Sequence, residues 1–303
     1  MTTLREQAAV LALVSATEGE WFRTAALVEE IGSALAVVEG DWDTLETVPP
    51  QLAEDLSKRV SSTDIDRFAT QIAEWEARGL TLITILDDRY PANLRQIYNR
   101  SPFLFVRGQL APEDDRSVAV VGTRNASEKG LQQARRLATD LANYGVTVLS
   151  GLARGIDTAA HRAALDASGR TVAVLGHGLL RPTYPPENND LAGRIAETGA
   201  LVSQFWPTAP QTRYTFPMRN VVMSGMGIGT VVIQAHGKSG ARMQARLCLD
   251  HGKRLFLIKS LVMHEDWARA YAERPGVTVV QRVEDILDVL LAITGEPEQL
   301  VLC

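Results

Sequence analysis

Four short segments bring together glycine, small polar residues and, in three of them, a cation. They are Gly122-Thr123-Arg124-Asn125, Ser150-Gly151-Leu152-Ala153-Arg154-Gly155-Ile156-Asp157, Gly176-His177-Gly178 and Gly237-Lys238-Ser239-Gly240. Glycine lets a backbone approach an anion closely, and the free N–H groups opening a following helix carry partial positive charge. The chemistry this combination serves is phosphate binding, with Arg124, Arg154 and Lys238 as counter-charges. One such turn says little, because tight turns after strands use glycine for steric reasons. Four that converge on one edge predict a phosphate-binding edge.

Two further features point to a polyanion. Residues 207–259 hold eight basic side chains, Arg213, Arg219, Lys238, Arg242, Arg246, Lys253, Arg254 and Lys259, against the single acid Asp250. A local field of that sign suits nucleic acid even though the whole chain carries −5. Within it, FWPTAPQTRYTFPMRN (205–220) interleaves Phe205, Trp206, Tyr214 and Phe216 with Arg213 and Arg219. Aromatics among arginines make stacking platforms for unpaired bases, so Phe205, Trp206 and Tyr214 are stacking candidates. The competing assignment, rings that pin the loop to the core, is favoured for Phe216.

Several other chemistries find no support. His161, His177, His236, His251 and His264 show no i, i+4 pairing and no neighbouring cysteine pair, so no metal site is expected. The glycine-rich run 225–229 precedes a strand instead of following one, the wrong context for a dinucleotide fingerprint. Lys238-Ser239-Gly240 lacks the GxxxxGK[ST] spacing. Ser150 and Ser203 have no visible base, and Asp157 reads as a helix cap. No catalytic residue and no cofactor is expected.

These turns need elements to hold them. From 117 the chain alternates apolar, β-branched runs with amphipathic helices, and the tail GVTVVQRVEDILDVLLA adds one more pair. That pattern predicts an α/β fold, a parallel sheet with helices on both faces and ligands beyond the carboxyl ends of its strands. Before it, residues 1–79 have helical periodicity and are acidic, with six basic and fifteen acidic side chains in the first eighty residues. We therefore expect a small helical domain over 1–79 and an α/β domain over 80–303, with LTLITIL and FLFVRG as short extended runs between them. Hydrophobic residues at 46% and charged residues at 22% exclude disorder, collagen and coiled coil. No apolar run approaches the ~18 residues of a membrane span, no secretory leader is evident, and Cys248 and Cys303 make no disulfide framework. A cytoplasmic protein with no membrane partner is the expectation.

Read together, VAVVGTRNASEKG (118–130), LSGLARGIDTAAHRAAL (149–165), VAVLGHGL…YPPENNDL (172–191), LVSQF (201–205), FPMRN (216–220) and SGARMQA (239–245) resemble the DprA/Smf family of bacterial DNA-processing proteins. The resemblance covers about 80–290, and its SGLARGID-AAH stretch is highly specific. It implies an extended Rossmann-like domain that binds single-stranded DNA, protects incoming DNA during natural transformation, loads the RecA recombinase and works as a homodimer. The helical part is similar to the family's SAM-like domain, without an evident helix–hairpin–helix glycine pattern. By family pattern, DNA-binding positions carry over to Gly122, Thr123 and Arg124, to the turn containing Ser150, Gly151, Arg154 and Gly155, and to Arg219 and Asn220. The residues themselves add Arg213, Lys238, Ser239 and Gly240.

Departures accompany the resemblance. The family's RNR motif reads Arg219-Asn220-Val221, Gln204 and Gln234 stand where acids are usual, and Ile258-Lys259-Ser260 replaces Val-Pro-Gly. The frequent C-terminal winged helix is not expected. The residues thus support a non-enzymatic single-stranded DNA-binding protein acting in DNA processing and recombination. Two other classes stay open: a nucleotide sensor or phosphoribohydrolase, and a regulatory protein paired with a toxin or phage-defence partner.

Overall fold

The computed structural model describes residues 2–294, apart from 18, 20, 43 and 44; Cys303 lies outside them. Helical periodicity in the first part of the chain gives α1 (Leu4–Ala16), α2 (Trp21–Ile31), α3 (Ala34–Glu39), α4 (Pro50–Arg59) and α5 (Ser62–Glu76). Thr3, Ser33 and Ser61 each accept a backbone N–H at the start of the following helix, and Ser61 with Asp64 completes a capping box.

These helices share one apolar core with the sheet: Leu11, Leu27 and Ile72 belong to the same buried cluster as Phe103 and Phe105. Next come β1 (Thr81–Thr84), α6 (Ala92–Arg95) and β2 (Phe103–Gly108). Gln7 of α1 donates to the Leu82 carbonyl at 3.1 Å and to the Asp87 carboxylate at 3.3 Å. Glu29 of α2 receives both Arg95 and Arg100. Helices and sheet edge are therefore joined by apolar area and by partly buried charge.

The α/β part continues with β3 (Ser117–Val121), α7 (Glu128–Asn143), β4 (Thr147–Ser150), α8 (Ile156–Asp166), β5 (Thr171–Val174), α9 (Asn189–Thr198) and β6 (Ala200–Ser203). It ends with α10 (Thr215–Met226), β7 (Gly229–Val232), α11 (Gly240–Asp250), β8 (Arg254–Ile258), α12 (Lys259–His264), α13 (Asp266–Ala272), β9 (Val277–Val280) and α14 (Glu284–Thr294). The strands form one nine-stranded sheet in the order β1-β2-β6-β5-β4-β3-β7-β8-β9. Strands β3 to β9 run parallel, as the alternation predicts. One edge differs: β2 pairs antiparallel with both β1 and β6, so the sheet is mixed. The segment 85–102, which carries α6, returns the chain beside β1, and β2 then lies against β6 in the opposite direction.

Strands β4, β5 and β6 build outward on one side of β3, and β7, β8 and β9 on the other. The chain thus reverses between β3 and β7, and side chains beyond those two carboxyl ends stand around a crevice that no connection crosses. The second half of the expected 205–220 loop is helical, because α10 begins at Thr215. Among the described residues no helix is long and apolar enough to cross a membrane.

Candidate nucleic-acid interface

The crevice at the strand reversal is a cleft of about 290 Å3. The turn after β3 supplies Gly122, Thr123, Arg124 and Asn125, α10 supplies Phe216, Arg219 and Asn220, and the start of α11 supplies Ser239 and Gly240. Residues far apart in the chain, such as Thr123 and Arg219, 96 positions apart, meet here because β3 neighbours β4 and β7 at once.

Close backbone approach explains two of the glycines. Gly155 has φ +77°, and a Cβ there would lie 2.4 Å from the Thr123 carbonyl oxygen. A Cβ on Gly122 would lie 2.3 Å from Ile156 Cγ1. Without these side chains the turn after β4 nests against the turn after β3. Thr123 N–H donates to the Gln234 carbonyl at 2.7 Å, which holds the turn from the β7 side as well.

Arg219 is the tie beneath the cleft. It is only 7% exposed and lies in α10, which corrects the expectation of a loop cation. Its Nη1 donates to the carbonyls of Gly151 (2.8 Å) and Val174 (2.6 Å), and its Nε donates to Asn220 Oδ1 (3.0 Å). The buried Asp157 sits near it and accepts the N–H groups of Gly151 (3.2 Å) and Ala153 (3.4 Å). Asp157 is therefore inside the first turn of α8 and organises the preceding turn; Gly155 takes the cap position. Burial pushes the Asp157 carboxyl up and the Arg219 guanidinium down, and their mutual attraction opposes both shifts.

The other cations divide by setting. Arg124 is exposed, with its guanidinium 5.2 Å from the centre of the Phe216 ring. Lys238 is exposed one position before Ser239, whose hydroxyl caps α11 by accepting Arg242 N–H at 3.2 Å. Arg154 is ion-paired with Glu187 and lines a separate groove between α7 and α8 together with Arg135 and Arg162. Arg213 lies outside the cleft, bonded to the hydroxyl of the exposed Tyr214 and over its ring.

Three candidates are committed elsewhere. Phe205 is buried, and Trp206 packs within 5.3 Å of Phe103 and 5.6 Å of Phe68, centre to centre. The Trp206 ring joins the helices to the sheet, and neither ring is offered to a base, which corrects the stacking assignment for both. Ser150 is fully buried and donates to the Val120 carbonyl at 2.7 Å. Phe216, read as a core ring, is half-buried beside Arg124 and lines the cleft. Sequence reasoning missed Gln244, a cleft-lining residue that is 1% exposed and whose Oε1 makes no hydrogen bond within the protein. Its signal was position: it stands on the inward face of α11 with Ala241, Ala245 and Cys248.

The sequence model of DNA recombination-mediator protein A matches residues 81–290. The chain belongs to this family. It is 32% identical over 226 residues to DNA processing protein DprA of Bacillus subtilis (strain 168), covering 72% of this chain and 74% of that one. It is 36% identical over 209 residues to protein Smf of Escherichia coli (strain K12), covering 68% and 56%. The X-ray structure of DprA from Streptococcus pneumoniae matches with a TM-score of 0.70 at 28% identity, over 95% of this chain and 98% of that one. DNA processing protein A from Helicobacter pylori, described for its single-stranded DNA binding mode, matches with a TM-score of 0.62 at 23% identity, over 71% and 96%. That last likeness shows the fold. Among the described residues of this DprA/Smf member, no group of histidine, cysteine or acidic side chains is arranged to hold a metal ion.

A titratable group lies under the tie. His161 of α8 is fully buried, and its Nδ1 is 2.7 Å from Thr171 Oγ1. The Thr171 hydroxyl donates to the Val148 carbonyl, so Nδ1–H donates to it and Nε2 is left unprotonated without a partner. Burial, aided by the positive charge of Arg219, lowers the His161 pKa to about 3. Below the ordinary value near 6.5 the unfolded chain takes a proton that the folded ring refuses, so stability falls as pH falls. Urea titrations should show a loss approaching about 1.4 kcal/mol per pH unit from this group below that point, which His161→Gln should reduce. The roles of the two arginines separate by a second measurement. Arg219→Ala should cost about 1–3 kcal/mol by stranding buried carbonyls, while Arg124→Ala should leave the chemical-denaturation midpoint near wild type.

Proposed function

We propose that this protein binds single-stranded DNA along the carboxyl edge of its sheet and acts, without catalysis of its own, as a mediator that passes the strand to a RecA-type recombinase. The observation that carries this reading is the cleft at the strand reversal. It combines a glycine-lined turn, the start of α11 and an unpaired exposed cation, Arg124. The one acid at its wall, Asp157, is buried and turned to backbone N–H groups. A helix start and an exposed cation, with no exposed carboxylate among the described lining residues, suit phosphate oxygens.

Single strands are favoured over duplex because the cleft lies between loop ends and its cation Arg124 stands beside a ring that an unpaired base can reach. The Phe216 ring beside Arg124 offers an edge for an unpaired base next to the phosphate site. Family membership supports the recombination role, and with it a homodimer as the working form in natural transformation.

The test is a titration of labelled single-stranded DNA, blunt duplex and a nucleotide panel against the pure protein. Single-stranded DNA should bind tightest. Each phosphate contact contributes roughly 0.7 to the slope of log affinity against log salt, so Arg124→Ala/Lys238→Ala should reduce that slope by about 1.4 for any base sequence. A folded double variant with the wild-type slope would move the site elsewhere, and a preference for one nucleotide would favour the sensor reading. The same mixtures, incubated with divalent metal, should show neither strand cleavage nor nucleotide hydrolysis. Metal-dependent turnover that is lost in Asp157→Asn would place the protein among enzymes.

A further inference from the structure

Two grooves adjoin the cleft, and their chemistry differs. The one between α7 and α8 mixes signs: of its four arginines, Arg154 pairs with Glu187 and Arg135 with Glu128, while Arg124 and Arg162 stand beside them and Asp166 also lines it. The one on the other side, between α10 and α11, has a volume of about 630 Å3. Its floor includes Met218 and Met243, which are 39% and 41% exposed. Lys238, Arg242 and Arg246 stand on its rim, and no carboxylate is among its described lining residues. Ser239 lines both this groove and the cleft, so the two are adjacent.

We propose that the groove between α10 and α11 is a second nucleotide subsite, which receives the next unpaired base and phosphate of the strand held at the cleft. This rests on the DNA reading above and adds the direction in which the strand leaves. An apolar floor bordered by cations, with no carboxylate among its described lining residues, matches a nucleotide, whose base is flat and apolar on its faces and whose phosphate is anionic. Methionine floors accept varied partners, because the side chain is flexible and its sulfur polarizable, and sulfur packs well on aromatic faces. Base-tolerant binding follows. The volume lies within the range of roughly 300–1,000 Å3 usual for small-ligand sites. Arg246 has an acid 3.6 Å away in Asp250, but that pair is exposed and holds the guanidinium only weakly. Arg242 is already engaged with the Gly237 carbonyl and the Trp267 ring, so Lys238 and the weakly held Arg246 are the rim cations left for a phosphate.

The experiment compares thymidine monophosphate with a long oligothymidylate on the full chain, wild type and Met243→Glu/Arg246→Glu. Both replaced side chains are exposed, and an unchanged melting temperature is the check; Arg246→Ala alone serves if the double variant fails it. The long strand should lose about tenfold or more in affinity, with a salt slope smaller by at least roughly 0.7, while mononucleotide binding stays at the wild-type value. Unchanged long-strand affinity and slope would overturn the proposal and leave the cleft reading intact. Equal losses for both ligands would also overturn it, since the groove would then act only through the cleft. If wild type binds neither ligand, the DNA reading itself fails. Competition by polyglutamate as effective as by the long strand at equal charge would assign the groove to an acidic protein partner instead.

Discussion

The site depends on a guanidinium that is removed from solvent. Arg219 spans the ends of β4 and β5 by donating to the Gly151 and Val174 carbonyls, and a Cβ on Gly151 would sit 2.0 Å from its Nη1. Moving a full charge into so enclosed a place is expensive unless hydrogen bonds and opposite charge compensate it. Both are present, as the two carbonyls and as Asp157 nearby, which in turn clamps the N–H groups of Gly151 and Ala153. The turn after β4 is therefore held from its carbonyl side by a cation and from its amide side by an anion. With the turn held there, Gly155 can lie against Thr123, and the edge of the cleft is set.

This arrangement separates two jobs that one residue type does in the same chain. A buried arginine with its donors spent on backbone is a structural strut, and its removal acts on folding. An exposed arginine such as Arg124, resting on a ring face and otherwise unpaired, keeps its fork of donors for a ligand. Lys238 is exposed like Arg124, whereas Arg154 pairs with Glu187 and Arg246 with Asp250 in exposed ion pairs. The basic segment 207–259 thus acts as a field around α10 and α11 more than as a set of equivalent contacts.

The acidic helical part bears on this field from a distance. Its rings, Phe68 and Trp75, meet Trp206 and Phe105 at the antiparallel edge, on the β6 side of the sheet and away from the β3–β7 reversal. The excess negative charge of the first eighty residues is consequently attached to the sheet edge most remote in strand order from α11. The fields of the two ends of the sheet therefore differ in sign, basic around α11 and acidic at the antiparallel edge.

By itself the amino-acid sequence determined the alternating elements, the parallel order of β3 to β9 and the glycine-rich turns at their ends. Those follow from local terms: β-branched runs, helical periodicity, and glycine where φ is positive or backbones touch. The motifs from Gly122 to Gly240 also carried the family. Tertiary structure alone decided what each polar or aromatic residue is for. Arg219 and Arg124 have the same side chain, yet one is enclosed by β4, β5 and α10 and the other stands in solvent. Trp206 and Phe216 flank the same loop, yet Trp206 closes onto Phe68 and Phe103 while Phe216 turns to Arg124. Gln244, with no motif to mark it, is brought to the cleft wall by the packing of α11 on β7. Burial depends on which distant segments arrive next to a residue, and the order of strands in the sheet sets that, not the residue's own neighbours in the chain.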